Sequence, residues 1–475
     1  FIIIMAVTST QSPGKGDGTK VPLAFNPWFL VSLSCSGGLI FGYNTGIIAL
    51  ALNPISNDFD LDTVPQSLIV VSILLGALIG SVGGGVIANK IGRRYVVLFT
   101  ALSCVGGAIG SAAVNSVVAV CLLRVLLGLG VGCGSSVCPL MVAENVPKEK
   151  KGFLGSFFQI AITVGILLAN VIGLLLKRTN NGWRWMFAIG AVPGVMLFVC
   201  WFIMKESPSF EESRKSKAAN NQSSGGIGLL FTKRARRPMF IGFILAVVSQ
   251  FTGINAFMYF STKIFLDAGI EGRDGPEIAA VILQIWNVST TLIAISLVER
   301  VGRKALLFTG AMVMTISDLV IAFVFLLVTG TAKGWTAIVF LFMFVAAFEA
   351  SIGTLFWFVI NEIMPEDIKN IGSPIINAMQ WCFNLILSFV FLFVVKYLGQ
   401  STMFWIFGGI GLVCTVSLYL FLPDIRGGNT MGQEEQDVAN NTNNNDNREL
   451  DLEKNPEDKQ NQELTSNEHI GIPPS

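Results

Sequence analysis

Long apolar segments alternate with short polar ones from Pro27 to Leu422. Each apolar segment has roughly the 20 residues that an α-helix needs to cross the hydrocarbon core of a bilayer. The pattern predicts about twelve membrane-spanning helices, numbered here as spans 1 to 12. Their expected cores are 28–50, 67–88, 96–114, 118–141, 154–176, 184–204, 238–261, 278–298, 305–328, 335–360, 372–397 and 402–422.

The composition excludes a water-soluble globular protein. Of the 475 residues, 52% are hydrophobic and 13% are charged, whereas soluble chains carry about 25% charged residues. The net charge of +1 gives no indication of nucleic-acid binding. The sequence therefore predicts an all-α membrane protein.

The polar segments divide the chain into two similar parts. A polar insert, 205–237, separates six spans in 25–204 from six in 238–425, and we expect it to be a linker. The segment 1–24 is a predicted N-terminal tail. The segment 426–475 is rich in Asn, Asp, Gln and Glu, which favours disorder.

The basic residues predict the orientation. Loops after the even-numbered spans contain most of the basic residues, such as Lys90 and Lys148, whereas the opposite loops are short or acidic, as at Asp58 and Asp60. By the positive-inside rule both tails and the linker are cytoplasmic. We expect the plasma membrane to be the host membrane.

Two motifs recur half a chain apart. Gly92-Arg93-Arg94 after span 2 recurs as Gly302-Arg303-Lys304 after span 8, and Glu144-x-x-Pro147-x-x-x-Lys151 recurs as Glu362-x-x-Pro365-x-x-x-Lys369. Parallel six-helix repeats indicate a transporter architecture in which the substrate lies between the halves.

With these repeated motifs, the chain resembles the sugar porters of the major facilitator superfamily, closest to the facilitative glucose transporters. The resemblance covers Phe25 to Arg426. Its motifs are Phe41-Gly42-Tyr43-Asn44-Thr45-Gly46, Gly85-x-x-x-Asn89-Lys90-x-Gly92-Arg93-Arg94, Arg124-x-x-x-Gly128-x-Gly130-x-Gly132, Gly253-Ile254-Asn255-Ala256 and Val298-Glu299-Arg300-x-Gly302-Arg303. It implies the twelve-helix major facilitator fold with a central cavity and transport of a hexose, with glucose as the first candidate.

Charged residues at the cytoplasmic helix ends can pair across the two halves, because they lie near water. The resemblance implies that they form a charge lock, which closes the cytoplasmic side and breaks when that side opens. The residues concerned are Arg93, Arg94, Glu144, Lys151, Glu206, Glu299, Arg300, Arg303, Glu362 and Lys369.

Polar side chains within the spans are the candidates for substrate binding. Unpaired amides are costly in hydrocarbon, so we expect them to face the bundle interior or a water-filled cavity. Amides both donate and accept hydrogen bonds, which suits the hydroxyls of a neutral sugar. Trp357 adds an aromatic surface for a sugar ring. The polar residues are Gln159, Ser249, Gln250, Asn255, Asn287, Glu349 and Asn384, with Gln250 and Asn255 on a span that Gly253 breaks.

The resemblance assigns further roles by position. Gln159, Gln250, Asn255, Asn287, Glu349 and Trp357 match sugar-contacting positions. Trp381 and Asn384 match positions that line the pocket from span 11. Tyr259 and Phe260 match an aromatic lid on the outer side.

Asn44 bears on energy coupling. In the family that this chain resembles, proton-coupled sugar porters have Asp at the position of Asn44 in the Phe-Gly-Tyr motif. Facilitative members have Asn there. Because an amide does not titrate, we expect a uniporter that is driven by the substrate gradient alone.

Three positions depart from the family pattern. Ser249 stands where a second glutamine is usual, which puts the identity of the sugar and the affinity in doubt. Span 10 lacks the usual prolines, so Gly353 remains as the expected weak point for gating. Asp318, near the middle of span 9, is an intramembrane acid and therefore a candidate functional residue, which could couple transport to protons. The favoured alternative is an acid that is protonated or bonded to a neighbouring helix.

Other functions stay open or are disfavoured. A proton-coupled sugar or polyol symporter is the first alternative, and a non-transporting nutrient receptor on the same fold is the second. An enzyme is disfavoured, since the only histidine, His469, lies in the polar tail and the eight cysteines show no metal-ligand spacing. We expect no cofactor or metal, a small sugar and the bilayer as partners, and a functional monomer.

Overall fold

The computed structural model describes residues 26–146, 148–208, 210–211, 230, 232–270 and 272–422. The predicted tails, 1–24 and 426–475, lie outside these residues, as does most of the predicted linker 205–237. The division of the chain into these domains therefore stays a prediction.

The described residues form helices and contain no strand. Eleven helices are long and apolar enough to cross a membrane, and the count is twelve when the bent pair at the start forms one span. This confirms the predicted all-α membrane fold. The helices, in span order, are Pro27–Gly46 with Ile48–Phe59, Thr63–Ile91, Arg93–Ala113, Val117–Asn145, Lys148–Leu176, Gly182–Ile189 with Val192–Ile203, Lys233–Phe251 with Ile254–Asp267, Gly275–Val301, Arg303–Leu327, Thr331–Phe348 with Glu349–Gly353 and Thr354–Ile363, Glu366–Leu398, and Gln400–Phe421.

Several spans are not continuous α-helices. Span 1 bends by 41° at Ile47. Span 7 breaks where Gly253 takes a φ of 97°, a left-handed conformation that glycine adopts without steric cost. Span 10 changes to a π-helix over Glu349–Gly353, a form that is frequent at functional sites. The predicted break at Gly253 is therefore confirmed, and Gly353 ends the π-helix.

Close packing of helices depends on glycines at the contacts. A Cβ atom on Gly76 of span 2 would lie 2.1 Å from the carbonyl oxygen of Val125 in span 4. A Cβ atom on Gly42 of span 1 would lie 2.0 Å from the carbonyl oxygen of Ile162 in span 5. Small residues at such contacts allow the backbones of membrane helices to approach closely. These pairs fix the spans of the first half against one another.

The bundle has two ends and two halves, which are named here for the sections that follow. The N half contains spans 1 to 6 and the C half contains spans 7 to 12. The inner end is the one that carries Arg93 and Arg303, and the outer end is the opposite one, where span 5 ends at Leu176 and span 8 begins at Gly275.

The two halves touch at the outer end. The hydroxyl of Thr262 in span 7 donates to the carbonyl oxygen of Ala49 in span 1 at 3.1 Å. The ammonium of Lys396 in span 11 donates to the hydroxyl of Thr63 in span 2 at 3.1 Å. The outer parts of spans 1 and 7, which lie beyond the helix breaks, therefore meet and close this end of the bundle.

We expect the variant Gly76→Ala to destabilise the N half by about 1–3 kcal/mol, because the new methyl group would overlap the backbone of span 4. The measurement is the thermal unfolding temperature of the purified protein in detergent. Gly83→Ala is the matched control, since Gly83 lies in the same helix and a Cβ atom there would meet nothing within 4 Å. Equal unfolding temperatures for both variants would contradict the packing described here.

A polar cavity between the two halves

A cavity that is partly open to solvent lies between the N half and the C half. Spans 1 and 5 line it from the N half, and spans 7, 8, 10 and 11 line it from the C half. The structure brings all nine predicted substrate-binding residues to this cavity. They are Gln159, Ser249, Gln250, Asn255, Asn287, Glu349, Trp357, Trp381 and Asn384.

The break in span 7 connects three of these side chains. Asn255, two residues after Gly253, donates from its amide to the side-chain oxygen of Gln250 at 2.5 Å. The amide of Gln250 donates in turn to the hydroxyl of Ser249 at 3.4 Å. Because the helix is interrupted between them, Gln250 and Asn255 can face each other on the cavity wall. Ser249, the departure from the family pattern, donates in turn to the carbonyl oxygen of Ala246 in its own helix at 2.9 Å.

Two contacts cross the cavity from one half to the other. The amide nitrogen of Gln159 in span 5 lies 3.3 Å from one carboxyl oxygen of Glu349 in span 10 and 3.5 Å from the other. The rings of Phe41 in span 1 and Trp381 in span 11 have centroids 4.9 Å apart. Glu349 is the first residue of the π-helix. The wall of the cavity therefore consists of hydrogen-bonding groups flanked by aromatic rings.

Two buried polar atoms in the wall have no hydrogen-bond partner among the described residues. They are the side-chain oxygen of Asn287 and the indole nitrogen of Trp381, on residues that are 1% and 2% exposed. A buried polar group without a partner is costly. The oxygen of Asn287 accepts hydrogen bonds and the indole nitrogen of Trp381 donates them. A bound molecule with hydroxyl groups can satisfy both atoms.

The three predicted gating residues occupy different places. The hydroxyl of Tyr259 lines the cavity and accepts a hydrogen bond from the amide of Asn384 at 3.3 Å. Phe260 does not line the cavity; it lies at a kink of span 7 and stacks on Phe391 with centroids 4.7 Å apart. Gly353 lines the cavity at the end of the π-helix.

The sequence reasoning missed several residues of the wall. Gln380 is an amide within a span, so the criterion that found Asn384 applies to it equally. Phe41 begins the motif Phe41–Gly46, which indicates the family but does not indicate a place in the cavity wall. A threonine within a span does not indicate a cavity, since its hydroxyl can donate to a carbonyl group of its own helix. Thr45 and Thr163 do so here. Phe348 is one of many aromatic residues in the spans, and nothing in the sequence distinguishes it.

Among the described residues, no ion pair of the predicted charge lock crosses between the halves. Arg93 pairs with Glu144 at 2.7 Å within the N half, and Arg303 pairs with Glu362 within the C half. Glu206 accepts hydrogen bonds from the backbone of Arg93 and Arg94 at 2.8 and 3.2 Å. In this outer-closed conformation the described members therefore pair within their own halves, and pairing between the halves when the inner end closes stays a prediction.

Four members of the predicted lock cannot be placed. The side chains of Lys151, Glu299, Arg300 and Lys369 lie outside the described part of the structure. A lock role for these residues, and for the described members when the inner end closes, stays a prediction.

Asn44 lies at a contact between spans 1 and 6 rather than in the cavity. Its buried amide donates to the carbonyl oxygens of Ile40 and Gly190, at 3.0 and 3.2 Å. Arg124 packs on the same segment of span 6, with its guanidinium 5.1 Å from the ring centroid of Phe187. No ion pair joins Arg124 to a described carboxylate. An amide at position 44 therefore satisfies two backbone carbonyls, one of its own helix and one of span 6.

Asp318 is fully buried, and neither of its carboxyl oxygens has a hydrogen-bond partner among the described residues. It does not line the cavity. An ionised carboxylate in such a place is costly. We therefore expect this acid to be neutral in the conformation described.

Twelve spans, a parallel repeat and a polar cavity between the halves define a multi-pass membrane carrier of the major facilitator type. The profile of the family described as "Sugar (and other) transporter" matches residues 30–224 and 210–436. The chain belongs to this family.

Relatives over nearly the full length agree with this assignment. The galactose-proton symporter of Escherichia coli K12 is 30% identical over 84% of this chain and 92% of its own length. The glucose transporter GlcP of Staphylococcus epidermidis is 30% identical over 85% and 95%. The crystal structure of a D-xylose-proton symporter superposes with a TM-score of 0.72 at 27% identity, covering 85% of this chain and 99% of that one.

We expect the variant Asn287→Ala to raise the half-saturation concentration for a transported sugar about fivefold, the equivalent of one net hydrogen bond. The measurement is the concentration dependence of uptake into proteoliposomes. Asn170→Ala is the control, since this buried amide lies in span 5 outside the cavity and donates to Ile166 of its own helix. Equal effects of the two variants would contradict the cavity as the binding site.

Proposed function

We propose that the protein is a facilitative carrier, or uniporter, for a hexose, with glucose as the first candidate. The observation that supports this most is the cavity wall, in which amides from both halves converge around an unpartnered donor and an unpartnered acceptor. Neutral amides beside aromatic rings suit a neutral molecule with many hydroxyls better than they suit an ion. The family and the glucose transporter among the relatives agree with this choice.

Transport proceeds by alternating access in this proposal. The solute binds between the halves, and the halves then rock so that the cavity opens to one side at a time. The contacts Gln159–Glu349 and Phe41–Trp381 cross the cavity, so an entering sugar would compete for them. Binding and rearrangement of the halves are thereby coupled, because the same side chains take part in both.

The case for uniport depends on Asn44. A carboxylate at this position could take up and release a proton, whereas the amide present here cannot. Its donor groups are already used by two backbone carbonyls. The conformational cycle therefore needs no proton at this site.

Proton-coupled symport is the second candidate. It is favoured by the relatives that are described as proton symporters for galactose and arabinose. The buried acids Asp318 and Glu349 could supply a proton site in place of residue 44. A non-transporting nutrient receptor is the third candidate, since a receptor on this fold could retain the same cavity.

The proposal includes an orientation and an assembly state. The inner end faces the cytoplasm, since it carries the basic loops, and both tails lie on that side. The plasma membrane is the proposed location. The cavity is formed by one chain alone, which supports a functional monomer.

Counterflow in proteoliposomes is the experiment that separates the candidates. We expect liposomes loaded with unlabelled glucose to take up labelled glucose transiently, with equal rates at neutral and mildly acidic pH, since no proton is coupled. A panel of labelled pentoses, hexoses and polyols identifies the solute. Absence of counterflow for every member would favour a receptor. Accumulation driven by an imposed proton gradient would overturn uniport.

The variant Asn44→Asp tests the coupling position. An ionised carboxylate would face the carbonyl oxygens of Ile40 and Gly190, whereas the protonated acid can still donate to one of them. We therefore expect transport by this variant to fall as the pH rises, while transport by the unmodified protein stays constant. Asn170→Asp is the control for a buried acid elsewhere in the bundle, and an identical pH profile would show that position 44 is not special.

A further inference from the structure

Four charged side chains meet at the outer end of the bundle. The ammonium of Lys177 lies 2.6 Å from a carboxyl oxygen of Asp274 and 2.7 Å from one of Glu277. The guanidinium of Arg178 lies 2.5 Å from the other carboxyl oxygen of Asp274. These four residues are called the outer ion cluster below.

Every ion pair of the outer ion cluster joins the N half to the C half. Lys177 and Arg178 directly follow span 5, which ends at Leu176, whereas Asp274 precedes span 8 and Glu277 lies in its first turn. Acidic groups at a helix N-terminus also interact favourably with the helix dipole. The cluster therefore connects the outer end of span 5 with that of span 8. These two spans line the cavity from different halves.

The inner end has the opposite arrangement. Its described ion pairs, Arg93–Glu144 and Arg303–Glu362, each lie within one half. Only the outer end thus has described ion pairs that cross between the halves. The hydrogen bond from Thr262 to Ala49 closes the same end between spans 7 and 1.

The central members of the outer ion cluster stay charged over a wide pH range. The hydrogen bond from Lys177, followed by that from Arg178, holds the pKa of Asp274 below its ordinary value. Partial burial lowers the pKa of Lys177, but its hydrogen bonds to Asp274 and Glu277 outweigh this, and the pKa lies above its ordinary value. Screening by salt, rather than external acid, is the natural way to weaken such pairs.

We propose that the outer ion cluster is an electrostatic latch that holds the carrier in its outer-closed conformation and must separate each time the outer end opens. The latch presupposes the alternating access of the proposed function, but it does not depend on which solute is carried. It makes the balance between outer-closed and outer-open conformations depend on the ionic strength at the outer face.

The size of the effect follows from the exposure of the side chains. They are 15% to 47% exposed, so each pair is partly screened by water and is worth little by itself. Several pairs in one network act together when they separate in one step. We expect loss of the latch to raise the outer-open population about three- to tenfold.

The test is hydrogen–deuterium exchange of the full chain in lipid nanodiscs, without any sugar. The reporter segments are 48–59 and 254–267, the outer parts of spans 1 and 7, which contain no member of the cluster. We expect exchange in both segments to rise about three- to tenfold in the double variant Lys177→Gln/Arg178→Gln. High salt should produce the same rise in the unmodified protein.

Two further variants separate the latch from general charge effects. Arg273→Gln also removes a positive charge beside Asp274, but Arg273 is exposed and forms no ion pair with a described residue, so exchange should stay unchanged. Exchanging the charges across the cluster, with Lys177→Glu, Arg178→Glu, Asp274→Lys and Glu277→Lys together, should restore slow exchange.

The outcomes that overturn the latch are specific. A rise in exchange that is confined to 177–178 and 272–277 would show local fraying only. No rise in exchange in 48–59 and 254–267 would show that the ion pairs do not hold the outer end closed. If the double variant fails to fold, the salt dependence of the unmodified protein decides. Missing counterflow would overturn the proposed transport function without changing the exchange result, so the two failures can be distinguished.

Discussion

Polar side chains inside a bilayer must find partners within the protein, and this constraint organises the molecule. An amide or a carboxyl group that faces lipid loses its hydrogen bonds to water and gains none in return. Gln159, Gln250, Asn255 and Asn287 escape this cost by turning toward one cavity between the halves. There Gln159 donates to Glu349, Asn255 donates to Gln250, and Asn287 donates to Gln284. The polar cavity and the stability of the bundle therefore have the same physical origin.

The breaks in the helices allow these groups to converge. A continuous helix would satisfy its own backbone and present side chains at fixed intervals of about 3.6 residues. The left-handed Gly253 in span 7 and the π-helix that begins at Glu349 in span 10 change these intervals at the cavity wall. In the proposed transport cycle, these breaks are also the places where the outer part of a span would move relative to the inner part.

The charges at the two ends of the bundle have different relations to the halves. At the inner end, Arg93 and Arg303 each bond within their own half and fix the ends of neighbouring helices. At the outer end, Lys177 and Arg178 bond across to Asp274. In the proposed rocking of the halves, an ion pair within one half would keep its length, whereas a pair between the halves would break. The proposed latch therefore concerns the outer pairs, while the inner pairs join neighbouring helices of one half.

The sequence by itself determined the class of protein, the number of spans and most of the amide side chains in the cavity wall. It could do so because burial in a membrane makes each polar residue within a span conspicuous, and Gln159, Asn287, Glu349 and Asn384 were found by that signal alone. It did not determine which charged residues pair, because pairing depends on distances between segments far apart in the chain. In the conformation described, Glu144 bonds to Arg93 of its own half, and nothing in the sequence pointed to the pairing of Lys177 with Asp274. Only the tertiary structure decided these partners, since the packing of the two halves sets which helix ends come within reach of each other.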